Sequence, residues 1–187
     1  MLKKEARIIT GGLSAPSKMP GPSMNLPAVA CITGSKLVKV AGSTCSGCYA
    51  LKGRYRFQNV KDAMQRRLDR LHDPRWVEAM ITLIDQQPVF RWHDSGDIQS
   101  HGHMNKILEV VRQTPDTNHW LPTQERPYLP APEAVPDNLI IRLSGSKIDG
   151  PPPTAWSHTS SVVTKGASCP APAQAAMHLK EDIDFKM

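Results

Sequence analysis

The chain has 187 residues, of which 40% are hydrophobic and 21% charged, a balance that excludes an intrinsically disordered protein. No apolar run approaches the roughly 18 residues of a membrane helix, and Met1-Leu2-Lys3-Lys4-Glu5 lacks the apolar stretch of a signal peptide, so a cytoplasmic protein is expected. Twenty-three Lys and Arg against seventeen Asp and Glu give a net charge of +6, which permits contact with nucleic acid without demanding it.

Seventeen prolines and twelve glycines predict short, interrupted elements in a single loop-rich domain, 1–187. Residues 1–30 read as an irregular lead-in, because Gly11-Gly12, Pro16, Pro20-Gly21-Pro22 and Pro27 break any period after Arg7-Ile8-Ile9-Thr10. Leu37-Val38-Lys39-Val40 reads as a strand that turns into a cysteine loop, Cys45-Ser46-Gly47-Cys48-Tyr49-Ala50. From Asn59 to His72, Val60, Met64, Leu68 and Leu71 form one apolar stripe of a helix, with Lys61, Arg66, Arg67 and Arg70 on its wet side. Asp73-Pro74 opens a second helix that carries Trp76, Val77, Met80, Ile81 and Ile84 inward.

Val89-Phe90-Arg91-Trp92 is a short strand running into His93-Asp94-Ser95-Gly96-Asp97, a polar cluster foreign to a core strand. Ser100 caps a third helix with Met104, Ile107, Leu108 and Val111 buried, ended by Thr114-Pro115. Strands follow at Asn118 to Thr123 and at Asn138 to Leu143, then a weak one at Ser160 to Val163 within an irregular C-terminal segment, 150–187. This alternation predicts a small α/β fold with a parallel sheet, resembling a partial TIM barrel, with helices and a cysteine cluster loop. His93-Asp94-Ser95, Thr123-Gln124-Glu125 and Ser144-Gly145-Ser146-Lys147 are each expected to follow a strand, the end where parallel sheets place their sites.

The strongest chemical signal is Cys31, Cys45 and Cys48 in the pattern C-x13-C-x2-C. Two thiolates separated by two residues reach one metal or cluster, and the glycine between them lets the backbone turn tightly. Three cysteines with one open position would suit a 4Fe-4S cluster with a free iron; Cys169, followed by Pro170, would close the site as a fourth ligand, and zinc would accept the same thiolates. The alternative is that the cysteines are small buried residues.

Asp94 and Asp97 at a strand end are candidates for proton transfer or metal binding, whereas His101 and His103 read as the exposed start of a helix. Between Lys36 and Arg70, nine cations stand against Asp62 and Asp69, a local +7. With Tyr49, Tyr55 and Phe57 interleaved among Lys52, Arg54 and Arg56, this surface would suit nucleic acid or a host protein, or would simply be a solvated helix face.

Lys18-Met19-Pro20-Gly21-Pro22-Ser23, Leu26-Pro27-Ala28 with Cys31, the segment Gly42 to Gly53 around Cys45 and Cys48, and Phe90-Arg91-Trp92-His93-Asp94-Ser95-Gly96-Asp97-Ile98-Gln99 resemble the phage "gene product eighty-eight" family. More distantly, a cysteine loop followed by a strand ending in Ser-x-Asp is similar to phage radical S-adenosylmethionine-like iron-sulfur proteins, built on a partial TIM barrel. That resemblance implies a 4Fe-4S cluster on Cys31, Cys45 and Cys48; Cys169 is expected as the fourth ligand, or else one iron stays open. It implies Asp94, Ser95 and Asp97 near the reacting groups, and Ser95, Asp97, Thr123 and Ser144 around S-adenosylmethionine. A radical enzyme in the cytoplasm of an infected host cell is one expectation; a phage-encoded binding or inhibitor module with a structural 4Fe-4S or zinc site is the other.

Overall fold

Three strands form between residues 89 and 148 and a fourth joins them. The structure, a computed structural model, describes residues 1–166 except Lys18 and Ala155. Its elements in chain order are α1 (Lys3–Thr10), α2 (Gly34–Leu37), α3 (Gln58–Arg70), α4 (Trp76–Ile84), β1 (Val89–Arg91), α5 (His101–Arg112), β2 (Asn118–Thr123), β3 (Leu139–Ile148) and β4 (Thr159–Val162). The strands lie in the order β1-β2-β3-β4, and every neighbouring pair is parallel. The α/β class with a parallel sheet is as expected. Parallel neighbours need a return connection, supplied by α5 between β1 and β2 and by 3-10 turns at Arg126–Tyr128 and Pro132–Ala134 between β2 and β3.

Alternation along the strands decides where the core sits. Phe90, Trp92, Leu121, Ile141 and Leu143 point to one face and are buried with Trp76, Met80 and Ile84 of α4 and Met104, Ile107, Leu108 and Val111 of α5. Each such side chain contributes on the order of 1.5–3 kcal/mol by leaving water. Three polar groups of this layer are joined in a chain: Trp92 Nε1 donates to His119 Nδ1 at 3.2 Å, and His119 Nε2 lies 2.9 Å from Thr114 Oγ1, whereas Trp76 Nε1 has no partner among the described residues. No helix among the described residues is long and apolar enough to cross a membrane.

Four local expectations are corrected. Lys3–Thr10 is a helix, not irregular chain, because Ala6 and Ile9 bury against Ala79 and Leu83 of α4 and Gly11 closes its C-terminus in the left-handed region. Leu37 to Val40 is not a strand: α2 and the following turns satisfy its backbone locally, Val38 N donating to Gly34 O at 2.9 Å, and Val40 has no sheet face to bury. Arg67 is not on the wet side of α3 but buried, with Nε donating to Gly12 O at 2.8 Å and Nη1 to Asn25 Oδ1. Ser144-Gly145-Ser146-Lys147 does not follow β3 but belongs to it, held extended by β4 and by Thr44 N donating to Ser146 O at 3.1 Å.

The remainder of the lead-in has a definite place. Pro22 to Leu26 run along the free edge of β1: Arg91 N donates to Pro22 O at 3.2 Å, Met24 N to Arg91 O at 3.0 Å, and Leu26 N to Ser95 O at 2.8 Å. The edge is thereby covered.

Candidate functional site

The polar strand ends grip the cysteine loop at three points. At the end of β2, Glu125 accepts from the Thr33 backbone N–H at 2.7 Å and from the Thr33 hydroxyl at 2.7 Å. The adjacent Gln124 donates through Nε2 to Thr44 Oγ1 at 3.0 Å and to Gly145 O at 2.9 Å. Thr33 stands two residues after Cys31 and Thr44 one before Cys45, so β2 fixes both arms of the loop. After β1, Asp94 accepts from Tyr55 OH at 2.9 Å and its carbonyl from Tyr49 OH, which secures the chain just beyond Cys48.

Cys31, Cys45 and Cys48 are free thiols, each half-buried. A Cβ placed on Gly34 would stand 3.6 Å from Cys31 Sγ and 3.8 Å from Cys45 Sγ, so both sulfurs converge beside the bare backbone of Gly34. Cys48 N donates to Cys45 O at 3.1 Å, which closes the turn between the second and third cysteine. Burial pushes the Cys31 thiol up to about 12, reinforced by the facing Asp97, Cys48, Glu125 and Cys45. Burial also raises Cys45, against the Thr44 hydroxyl bond that lowers it. A thiolate here is disfavoured unless a cation accompanies it. Among the described residues, no three His, Cys, Asp or Glu side chains converge as ligands of one ion.

Asp97 is buried against this loop. Its Oδ1 accepts from Thr123 Oγ1 at 2.6 Å and from Ile98 N at 2.8 Å, and its Oδ2 from Gln124 N at 2.8 Å. Desolvation outweighs those three bonds and raises its pKa to about 6, with Glu125 adding to the rise. Thr123 joins the Asp97 carboxylate to the backbone of Glu125, since the same Oγ1 accepts from Glu125 N at 2.9 Å. Asp94 sits farther back, held by Ser23 Oγ at 2.8 Å and Asn25 Nδ2 at 3.4 Å.

The structure thus gathers Asp97 and Thr123 around Cys31, and joins Asp94 to the tyrosines after Cys48. Ser95 is committed elsewhere: its hydroxyl donates to Leu26 O at 3.0 Å. The next residue, Gly96, has φ 76°, and a Cβ there would come 2.5 Å from Leu26 Cβ, so only glycine allows the lead-in this close. Ser144 lies half-buried on β3, its carbonyl accepting from Arg126 Nη2 at 3.0 Å. Cys169 lies outside the described residues. His101 is exposed, as expected, but His103 is buried, its Nδ1 accepting from Gln99 N at 3.2 Å.

Of the residues that hold the loop, sequence reasoning placed Gln124 and Glu125 at a strand end without giving them a role, and missed Thr33 and Gly34. Glu125 carried a signal, as an acidic residue directly after an apolar strand; Thr33 and Gly34 carried none, because a partner 92 positions away leaves no local pattern.

Arg56, Lys61 and Asp62 border a second feature. A groove of about 480 Å³ is lined by Val29, Leu51, Tyr55, Arg56, Lys61 and Met64, among others, on the α3 side of the loop.

No curated protein and no solved structure matches the chain. A family model does: the one described as Gene product 88 matches residues 1–184, a span that takes in the lead-in on the β1 edge, the cysteine loop and the strand-end carboxylates alike. With almost its whole length matched, the chain belongs to the Gene product 88 family of phage proteins.

Proposed function

We propose that the chain is a 4Fe-4S protein of radical S-adenosylmethionine-like architecture, its four parallel strands forming part of a TIM-like barrel, at work in the cytoplasm of the infected host. Cys31, Cys45 and Cys48 would hold the cluster, with Cys169 as fourth ligand or one iron open. The single observation that carries this reading is that the Cys31 and Cys45 sulfurs converge beside the bare backbone of Gly34. Thiolates that converge in this way suit a cluster, as they suit zinc. When bound, such a cluster supplies one-electron transfer and, at an open iron, a position for S-adenosylmethionine.

The chain's own residues have distinct tasks in this reading. Glu125 and Gln124 fix the ligand loop, and Ser95 positions the lead-in beneath it. Asp97 can hold or release a proton at Oδ near neutral pH, since burial has moved it to about 6. Asp94, Asp97, Thr123 and Ser144 would face substrate or S-adenosylmethionine. The test is anaerobic purification with iron, sulfide and zinc analysis and a visible spectrum on one sample. Four irons with matching sulfide support the reading, and the Cys169→Ala protein should then keep its cluster and cleave S-adenosylmethionine if an iron is open. One zinc and no colour reject it.

A second reading is favoured by the groove beside α3. There the metal site, 4Fe-4S or zinc, is structural, and the surface between Lys36 and Arg70 binds nucleic acid or a host protein. Arg56 and Lys61 line the groove, and among the described residues neither has a carboxylate within ion-pair distance. Binding to single-stranded DNA that weakens steeply with salt and is lost in Arg56→Glu/Lys61→Glu supports this reading; binding unchanged by that pair dismisses the surface.

A further inference from the structure

The sheet has a second face, opposite the core, and its composition is unlike that of the first. Arg91 of β1 is in register with Trp120 of β2, Trp120 with Ile140 of β3, and Pro122 with Arg142. Alternation places Arg91, Trp120, Ile140 and Arg142 on this one face, away from Phe90, Leu121 and Ile141. Ile140 is exposed, so the face is open to solvent beside Trp120. The Arg91 guanidinium carbon lies 4.6 Å from the centre of the Trp120 ring, stacked as a cation on an aromatic.

Three donors on this face have nothing to donate to. Arg91 Nε, Trp120 Nε1 and Arg142 Nε are withdrawn from water and have no hydrogen-bond partner among the described residues. Nor is either arginine neutralised: the ion pairs among the described residues are Met1 N with Glu78 and Arg75 with Glu5. Among the described residues Arg91 otherwise reaches the Met19 sulfur, at 3.7 Å from Nη1, a weak acceptor, and the Tyr49 phenol. Buried donors are nearly always paired, so three orphans side by side on neighbouring strands call for an acceptor from outside the described chain.

We infer that this face binds the phosphate group of a small-molecule ligand between Arg91, Trp120 and Arg142. Two guanidinium forks and an indole N–H offer donors only, and together they carry two positive charges. A phosphate dianion matches that charge and has oxygens enough for all three side chains at once, whereas a carboxylate has two. Tyr49 borders the site, its phenol within reach of the Arg91 guanidinium. The site stands on the sheet face itself and does not depend on what the cysteines hold.

The experiment is a titration of the purified, metal-containing protein, labelled with 15N at arginine and tryptophan, with inorganic phosphate. Sodium acetate at matched ionic strength runs in parallel. The Nε–H signals of Arg91 and Arg142 and the indole signal of Trp120, assigned by their loss in Arg91→Gln, Arg142→Gln and Trp120→Phe, are expected to shift together and saturate. Arg142→Gln should weaken phosphate binding at least tenfold, while Arg142→Lys, which keeps the charge and loses the fork, should recover part of it. The dispersed signals of Trp76 and Trp92 report that each variant is folded. Absence of a saturable shift, an equal response to acetate, equal shifts at exposed arginines such as Arg70, or undiminished binding in folded Arg142→Gln each overturns the inference.

Discussion

Glu125 meets Thr33 with both carboxylate oxygens, 2.7 Å to the backbone N–H and 2.7 Å to the hydroxyl, and so ties the end of β2 to the first cysteine of the loop. The carboxylate is almost wholly buried, and no cation among the described residues pairs with it. Its whole solvation is therefore supplied by neighbouring donors, Thr33 foremost. Glu125→Ala strands a buried N–H and is expected to cost about 1–3 kcal/mol in urea unfolding and to lower metal retention. The exposed Glu133→Ala is the control and should stay within about 0.5 kcal/mol.

Arg67 offers a second test, because the α3 pattern places it among solvent-facing cations and the structure does not. Its guanidinium joins Gly12 and Asn25, close to Asp94, and burial draws its pKa below the usual value. Arg67→Ala leaves those acceptors unpaired inside the protein and is expected to destabilise by about 2–4 kcal/mol. Arg66→Ala and Arg70→Ala, both exposed, should each change stability by no more than about 0.5 kcal/mol. Thermal melts of the three variants decide; equal melting would return Arg67 to the surface.

What the residues disclosed in advance followed from local periodicity. The α5 stripe with its Ser100 cap and the β2 strand formed within the bounds expected, since each buries one regular face. The two failures on the cysteine side share a cause: Leu37 to Val40 alternates like a strand but has no sheet to join, and Ser144 to Lys147 looks like a turn but has β4 and Thr44 to pair with. Register partners decide both, and they lie far off in the chain. The site was legible to the same degree. Asp97 and Thr123 could be read as strand-end polar groups, while the bond from Thr33 to the Glu125 carboxylate emerges only when β2 is laid against the loop.

The acid response is set by opposing groups. His103 is lowered to about 3 and His119 to about 4, in both cases chiefly by burial, and His93 lies well below the usual value for the same reason. A histidine depressed in the folded state contributes stability that is present above about 6.5 and lost as pH falls toward the folded pKa. Asp97 works the other way: raised to about 6, it favours the folded state as pH falls from about 6 to about 4. At about 1.4 kcal/mol per unit, His103 and His119 together outweigh Asp97 roughly twofold, so stability should fall between pH 6.5 and 4. Urea midpoints across that range should show the fall, and Asp97→Asn should steepen it. A flat profile would mean that the histidines are not buried neutral.

Gly34 separates the architecture of the loop from its cargo. In Gly34→Ala the new Cβ stands beside the Cys31 and Cys45 sulfurs and 3.0 Å from Cys31 Cβ, a contact tight enough to make the ligand arm give by a few tenths of an ångström. Its backbone is helical, so alanine is otherwise acceptable and by propensity mildly favourable. The fold should therefore survive with its melting temperature in the metal-free state unchanged within a few degrees, while the metal content of protein purified under identical anaerobic conditions falls severalfold. Gly47→Ala, in the same loop with nothing within 4 Å of the added atom, is the matched control and should retain metal. If both variants load equally, or neither holds metal, the space beside Gly34 is not where a metal group sits.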